Sequence, residues 1–186
     1  MDGRQVLSKA IEDLRTEHAA ILAALQTLAG ITGRLGRKQD VDDKDVRDFI
    51  GFLKEFADKC HHGKEEGILF PALVKAGIPE QGGPVGVMLA EHTRGRDLTR
   101  KMEAAVSSAP DYRAFSEAAT QYSALLTSHI AKENEVLFPS AERVLSEKQL
   151  DEIYGAFEQH EEKVIGAGRH EELHALLKKL KQKYQA

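Results

Sequence analysis

Apolar residues recur along this chain in alternating steps of four and three. The first stretch carries Leu7, Ile11 and Leu14, then Ile21, Leu25 and Leu28, the stripe of a helix packing one face into a bundle. The same rhythm predicts four long helices. The first runs from about Gln5 to Ala29 and ends in the Gly30–Gly36 region. After the polar RKQDVDD loop, a second carries Val46, Ile50, Leu53 and Ala57, and is closed by Pro71, Gly77, Pro79 and the GGP at 82–84. A third carries Val85, Met88, Gly95, Met102 and Val106 and stops near Ser107–Pro110. A fourth begins near Tyr112, carries Phe115, Tyr122 and Leu125, and has Pro139 near its end. No stretch alternates convincingly with the two-residue period of a strand. Long helices joined by short loops predict an all-α, up-down four-helix bundle over residues 1–145. Beyond it, Ser146 can cap a shorter helix with Leu150, Ile153 and Phe157. The IGAGR segment interrupts, and a last amphipathic helix carries Leu173, Leu177, Leu180 and Tyr184. Residues 146–186 are expected to form a C-terminal helical extension packed on the bundle.

Histidine breaks the apolar stripe at positions 18, 61, 92 and 129, and a glutamate follows four residues later at 65 and 133. Residues four apart lie one turn away on the same helix face, so His61 with Glu65 and His129 with Glu133 point inward together. The pattern is an internal repeat. LFP at 69–71 returns at 137–139, a shift of 68 residues that lays His61 on His129 and Glu65 on Glu133, but His62 on Ile130. TEH at 16–18 loosely matches AEH at 90–92. Two such hairpins stacked antiparallel bring four imidazoles and two carboxylates to one level. Buried polar groups are costly unless satisfied. Direct His–Glu hydrogen bonds could serve, but the repeated, paired set points to two metal ions. Mixed nitrogen and oxygen donors suit iron, with manganese or zinc as alternatives; a single cysteine excludes an iron–sulfur cluster.

The doublets His61–His62 and Glu65–Glu66 need separate treatment. Position 61 continues the stripe of Ile50, Leu53 and Ala57, whereas 62 continues the polar face of Glu55 and Asp58. His62 and Glu66 are therefore expected in solvent or behind the metal ligands, unless the helix is slightly rotated.

Composition narrows the function classes. The chain has 186 residues, enough for one domain with an appendage, and a net charge of only −4. Its one basic run, KKLKQK, ends a helical pattern, so nucleic-acid binding is not expected. No apolar run approaches membrane-spanning length and no signal-peptide core is apparent, so no membrane partner is expected. The lone Cys60 excludes an intrachain disulfide and fits a reducing compartment; the expected location is cytoplasmic. Beside His61, this thiol is either a packed side chain or a redox-sensitive one.

The EH of the first helix, the HHxxEExxLFP segment, the EH of the third helix and HxxxExxxLFP resemble the hemerythrin-like, HHE cation-binding family over about residues 10–142. The resemblance implies a four-helix bundle holding two non-haem iron ions, oxo- or hydroxo-bridged. It also implies His18, His61, His92 and His129 as terminal ligands, with Glu65 and Glu133 as bridges. The oxygen-carrying members have a second histidine one turn from the first on the third helix, where this chain has Met88 and Arg96. They bridge with an aspartate where this chain has Asn134. One imidazole fewer leaves more open coordination. That points away from simple oxygen carriage and towards binding or sensing oxygen, nitric oxide or peroxide, in oxidative or nitrosative stress or iron homeostasis. Turnover, such as peroxide decomposition, has no dedicated acid–base pair outside the ligand set.

Three other features compete. His160 lies near the stripe of Ile153, Phe157 and Val164 and could face the metals as an extra ligand. HEELH at 170–174 matches the HExxH zinc-protease pattern, but no downstream third ligand follows. A ferritin-like iron oxidase or storage protein would use Glu-x-x-His and lone glutamates, whereas here histidine comes first, the spacing is four and the lone ligands are histidines. A sensor in which metal state alters docking of residues 146–186 is a further expectation.

Overall fold

The computed structural model describes residues 8–185; the predicted helix start at Gln5 and the stripe position Leu7 lie outside them. Six helical rods follow one another among the described residues. The first, α1, is Lys9–Gly36, with the Ser8 hydroxyl accepting from the Ile11 N–H. The second, α2, begins as Asp43–Phe52 and continues unbroken through Leu53–His62 and Glu65–Leu69 to Phe70–Lys75. The third, α3, is Pro84–Ala105. The fourth, α4, runs as Tyr112–Lys132, Glu133–Leu137 and Phe138–Val144. The extension supplies α5, Glu147–Val164, and α6, Arg169–Tyr184. Ser146 and Gln149 close a reciprocal capping box at the start of α5.

The structure shifts one predicted helix end, since α2 passes Pro71 and closes at Lys75, before Gly77, while α4 ends at Val144 with Pro139 near its end as expected. Pro71 and Pro139 sit inside α2 and α4 because the turn before each is widened to π geometry. Phe70 N–H reaches back five residues to the Glu65 carbonyl, and Phe138 N–H to that of Glu133. The proline's missing N–H falls where bonding returns from five residues to four, so the helix survives it. The first helix ends at Gly36, within the expected Gly30–Gly36 region, and runs on through Gly30. A Cβ there would lie 2.0 Å from the Tyr184 carbonyl oxygen, so this glycine admits the end of α6 rather than stopping α1.

Every bundle helix carries apolar residues above and below a polar layer. One core joins Ile21 to Ile31 of α1 with Val46 to Ala57 of α2, Leu98 and Met102 of α3, and Phe115 to Ile130 of α4. The other joins Ile11, Leu14, Leu69, Phe70, Met88, Leu137 and Phe138. The extension completes both, inserting Leu173, Leu177, Leu180 and Tyr184 into the first and Leu150, Ile153 and Phe157 into the second. By length and composition alone α1 could cross a membrane, contrary to the expectation from sequence; its apolar face, Ile11, Leu14, Ile21, Leu25 and Leu28, is buried in these two cores.

Candidate metal centre

Between the two cores, His18 of α1, His61, His62 and Glu65 of α2, His92 of α3 and His129 and Glu133 of α4 are all nearly inaccessible to solvent. Their side chains form two overlapping groups, each close enough to hold one cation: His18, His61, Glu65 and Glu133, and His62, Glu65, His92 and His129. Glu65 belongs to both. Glu133 Oε2 lies 3.2 Å from both His18 Nε2 and His129 Nε2, which belong to different groups. Both carboxylates thus lie between the two positions.

Four of the five rings are oriented from behind. Nδ1 of His61 lies 2.8 Å from Glu17, and Nδ1 of His129 3.0 Å from Glu91. Nδ1 of His92 lies 2.7 Å from Glu66, and Nδ1 of His18 3.1 Å from Asn134. Phe138 stacks on His18 and Phe70 on His92. Outer partners on Nδ1 leave Nε2 for the interior, the usual arrangement behind a metal-bound imidazole. The 68-residue repeat extends to these partners, since Glu66 corresponds to Asn134 and Phe70 to Phe138.

The interior is not satisfied by its own groups. Nine buried side-chain atoms lack a hydrogen-bond partner among the described residues. Eight are here: His18 Nε2, His61 Nε2, both nitrogens of His62 and all four oxygens of Glu65 and Glu133. Glu133 approaches His18 and His129 at 3.2 Å, and Glu65 approaches His92 at 3.4 Å, but these contacts are misaligned for hydrogen bonding, and His61–Glu65 at 3.7 Å is too long. His92 Nε2 and His129 Nε2, 3.1 Å apart, do pair with each other. One unsatisfied buried group costs roughly 1–3 kcal/mol, so eight would rival a domain's whole stability of about 5–15 kcal/mol. These donors therefore fit metal ions better than they fit one another. Burial, with His18 and then other histidines nearby, holds His61 well below the ordinary histidine pKa; burial and His92 do the same for His62. Both are thus neutral, the form that ligates metal. Burial and the charge of Glu133 push Glu65 well above the usual carboxylate range. In Glu133 burial is outweighed by His129 and His18, which hold it well below that range.

His62 corrects the expectation of a polar face. It stacks on His92 at 3.8 Å between ring centroids. The π turns of Leu53–His62 break the regular four-residue register, so both histidines of the doublet enter the bundle. The imidazole absent from the third helix is thereby matched by one from the second. Glu66 stays half-exposed, bound to His92 and to Arg96 Nη2 at 2.6 Å. His160 does not reach the cluster. Its Nε2 lies 3.1 Å from the Lys59 carbonyl oxygen on the outside of α2, against Gly63, where a Cβ would be 2.6 Å from the ring.

Glu17, Cys60 and Glu161 form another close grouping, but Lys64 fills it. Its ammonium lies 2.7 Å from Glu17, 2.9 Å from Asp13 and 3.0 Å from Glu161. Burial, then the charge of Glu17, pushes the Cys60 thiol up to about 12, which makes it a packed thiol rather than a reactive one. In the HEELH segment, His170 Nε2 faces His174 Nε2 at 2.9 Å and His170 Nδ1 meets Glu161 at 2.5 Å. Glu171 is exposed, and no grouping of three donors forms around the two histidines among the described residues.

The family model described as "Hemerythrin HHE cation binding domain" matches residues 9–141. The chain is 26% identical over 168 residues to "Uncharacterized protein Rv1995" of Mycobacterium tuberculosis (strain ATCC 25618 / H37Rv) and to "Uncharacterized protein Mb2018" of Mycobacterium bovis. Those alignments cover 88% of this chain and 65% of each relative, so it spans less than two thirds of their length. No solved structure matches it significantly.

Proposed function

This chain belongs to the hemerythrin family of HHE cation-binding domains, and on that footing we propose that its buried layer holds two iron ions and binds or senses a small ligand. The ligand is oxygen, nitric oxide or peroxide, and the setting is oxidative or nitrosative stress, or iron homeostasis, in the cytoplasm. One observation carries the reading: eight unsatisfied donor atoms converge in one layer, while the outer nitrogens of four histidines are already engaged.

His18, His61, Glu65 and Glu133 would hold one ion, and His62, His92, His129 and Glu65 the other. Two imidazoles with carboxylates is the donor set of non-haem iron sites that keep open positions. Iron held this way supplies one-electron chemistry and a place for a small ligand to coordinate. The protein's own work is positioning: Glu17, Glu91, Glu66 and Asn134 fix the rings, and the two apolar cores keep bulk water away. The nitrogen-rich donor set favours this reading over a ferritin-like oxidase, whose bundle is built on carboxylates.

Metal analysis of protein purified without chelator, with spectra before and after oxygen, nitric oxide and peroxide, tests the proposal. Close to two irons per chain and a visible band altered by at least one of these ligands is the expected result. Zinc alone, or iron whose spectrum none of the three changes, contradicts it.

A further inference from the structure

The extension covers the α1–α2 side of the polar layer, and a different side carries an opening. A cavity of about 210 Å3 lies among α2, α3 and α4, lined by Lys54, Asp58, His62, Arg96, Thr99, Arg100, Gly95 and Tyr122. Its lining is ordered along the helices. On α2, Lys54, Asp58 and His62 follow at intervals of four residues, a little under one turn each in its π-widened stretch; on α3, Arg100 and Arg96 lie four residues apart, about 6 Å along the helix axis. Side-chain exposure falls along that order, from 71% at Arg100 and 43% at Lys54, through 35% at Arg96 and 32% at Asp58, to 3% at His62. The cavity therefore has a mouth at Lys54 and Arg100 and a floor at His62, whose two nitrogens are among the unpartnered atoms of the metal layer.

We propose that this cavity is the entrance to the metal layer, that Arg96 is its gate, and that it admits small uncharged molecules. The inference rests on the function proposed above. Arg96 stands midway along the cavity wall, its guanidinium tied to Asp58 at 2.7 Å and to Glu66 at 2.6 Å. Glu66 is also the partner of His92, so the gate is fastened to a carboxylate that orients a ring of the cluster. Gly95 lines the wall: a Cβ there would meet Leu126 and Tyr122 at ordinary contact distances of 3.7 and 3.8 Å, so a methyl group is accommodated, whereas a longer side chain would crowd Leu126, Tyr122 and the cavity they border. The charges favour an uncharged ligand. Lys54 is paired with Glu103, Arg96 with Asp58 and Glu66, and Arg100 with Asp97. Each of these lining cations is answered by a carboxylate, which weakens any pull on an anion.

A passage changes rates of entry and exit together, whereas damage to the metal site changes affinity. The test is stopped-flow binding and release of nitric oxide, with azide as an anionic probe, on iron-loaded wild type, Gly95→Leu, Thr99→Ile and Arg96→Met, with metal content measured for each. Gly95→Leu is expected to keep its iron and to lower both nitric oxide rates by a common factor, roughly tenfold or more. Thr99→Ile, which narrows the same wall, provides the same comparison if Gly95→Leu misfolds. Arg96→Met is expected to speed nitric oxide association. In wild type, azide is expected to bind more slowly than nitric oxide. Nitric oxide rates that stay at wild-type values in all three variants place the entrance elsewhere. Azide that binds as fast as nitric oxide, with a rate falling steeply with salt, overturns the preference for uncharged ligands. Wild-type protein that takes up no iron overturns the proposed function, and the entrance with it.

Discussion

The two halves of the bundle carry the same triad in opposite surroundings. In the first half Lys64 binds Glu17, and Glu17 holds Nδ1 of His61. In the second, Lys132 binds Glu91, and Glu91 holds Nδ1 of His129. Lys64 is 1% exposed, enclosed by Asp13, Glu161 and the ring of Phe157; Lys132 is 38% exposed. The extension makes the difference, since α5 brings Glu161 and Phe157 to one half only. Repetition thus builds a nearly symmetric donor layer, and the added helices close one side of it to solvent while the other stays near water.

The most drastic way to break this symmetry is to remove the carboxylate that the two groups share. Glu65→Ala is expected to abolish binding of both ions, whereas His61→Ala or His129→Ala should weaken mainly the ion in its own group. Iron per chain by elemental analysis checks this, and a Glu65→Ala protein that still holds two ions contradicts a shared ligand.

Next in size is the contrast between the triads themselves. Glu17→Gln in metal-free protein takes one partner from a buried ammonium and is expected to cost about 3 kcal/mol, the low end for a broken buried pair, because Asp13 and Glu161 remain. Glu91→Gln leaves Lys132 largely in water and should cost under ~1 kcal/mol. Urea unfolding of both variants measures the difference; equal losses would mean the extension does not set the environment of Lys64. In metal-loaded protein either change is expected to weaken its own site by roughly 10–100-fold.

His62 is the second departure from symmetry, because its counterpart is Ile130. Converting it with His62→Ile makes the halves alike and is expected to weaken the ion near His92 and His129 while sparing the one at His18 and His61. Competition with a chelator, followed as two release phases, separates the sites; slowing or quickening of both phases together argues against an individual role for His62.

The smallest expected effect is on pH dependence at the extension. The hydrogen bond with Glu161, ahead of opposing burial, raises His170 above its ordinary 6.5. The hydrogen bond with His170, again ahead of burial, lowers Glu161 from 4.5 to about 2. A raised histidine contributes fully below 6.5 and loses its contribution as pH rises through the folded value. A lowered carboxylate contributes above 4.5 and loses it as pH falls towards about 2. The stability gap between wild type and His170→Gln should therefore be widest between 4.5 and 6.5, at up to ~1 kcal/mol for a pair of this partial exposure. Melting temperatures across pH provide the check, and a gap that grows above neutrality contradicts it.

Much of this was legible in the residues, for a physical reason. A histidine in an apolar stripe is conspicuous, which marks His18 and His92, and the shared shift of the two LFP segments pairs His61 with His129 and Glu65 with Glu133. His62 was hidden because a face assigned at 3.6 residues per turn assumes a regular helix, and Leu53–His62 is π-widened. The outer partners also leave a trace in the residues: TEH and AEH each place a glutamate just before the lone histidine, and Glu17 and Glu91 orient the histidine of the next helix. The burial of Lys64 and the cavity at Arg96 depend on how helices distant in sequence dock, and no local pattern encodes that.

The most direct measurement is anomalous diffraction at the iron edge from crystals of protein purified without chelator. Two peaks are predicted, one against His18 and His61 and one against His62, His92 and His129, both in contact with Glu65. A layer without anomalous signal, or with one ion only, in crystals whose protein is fully folded would contradict the dinuclear centre.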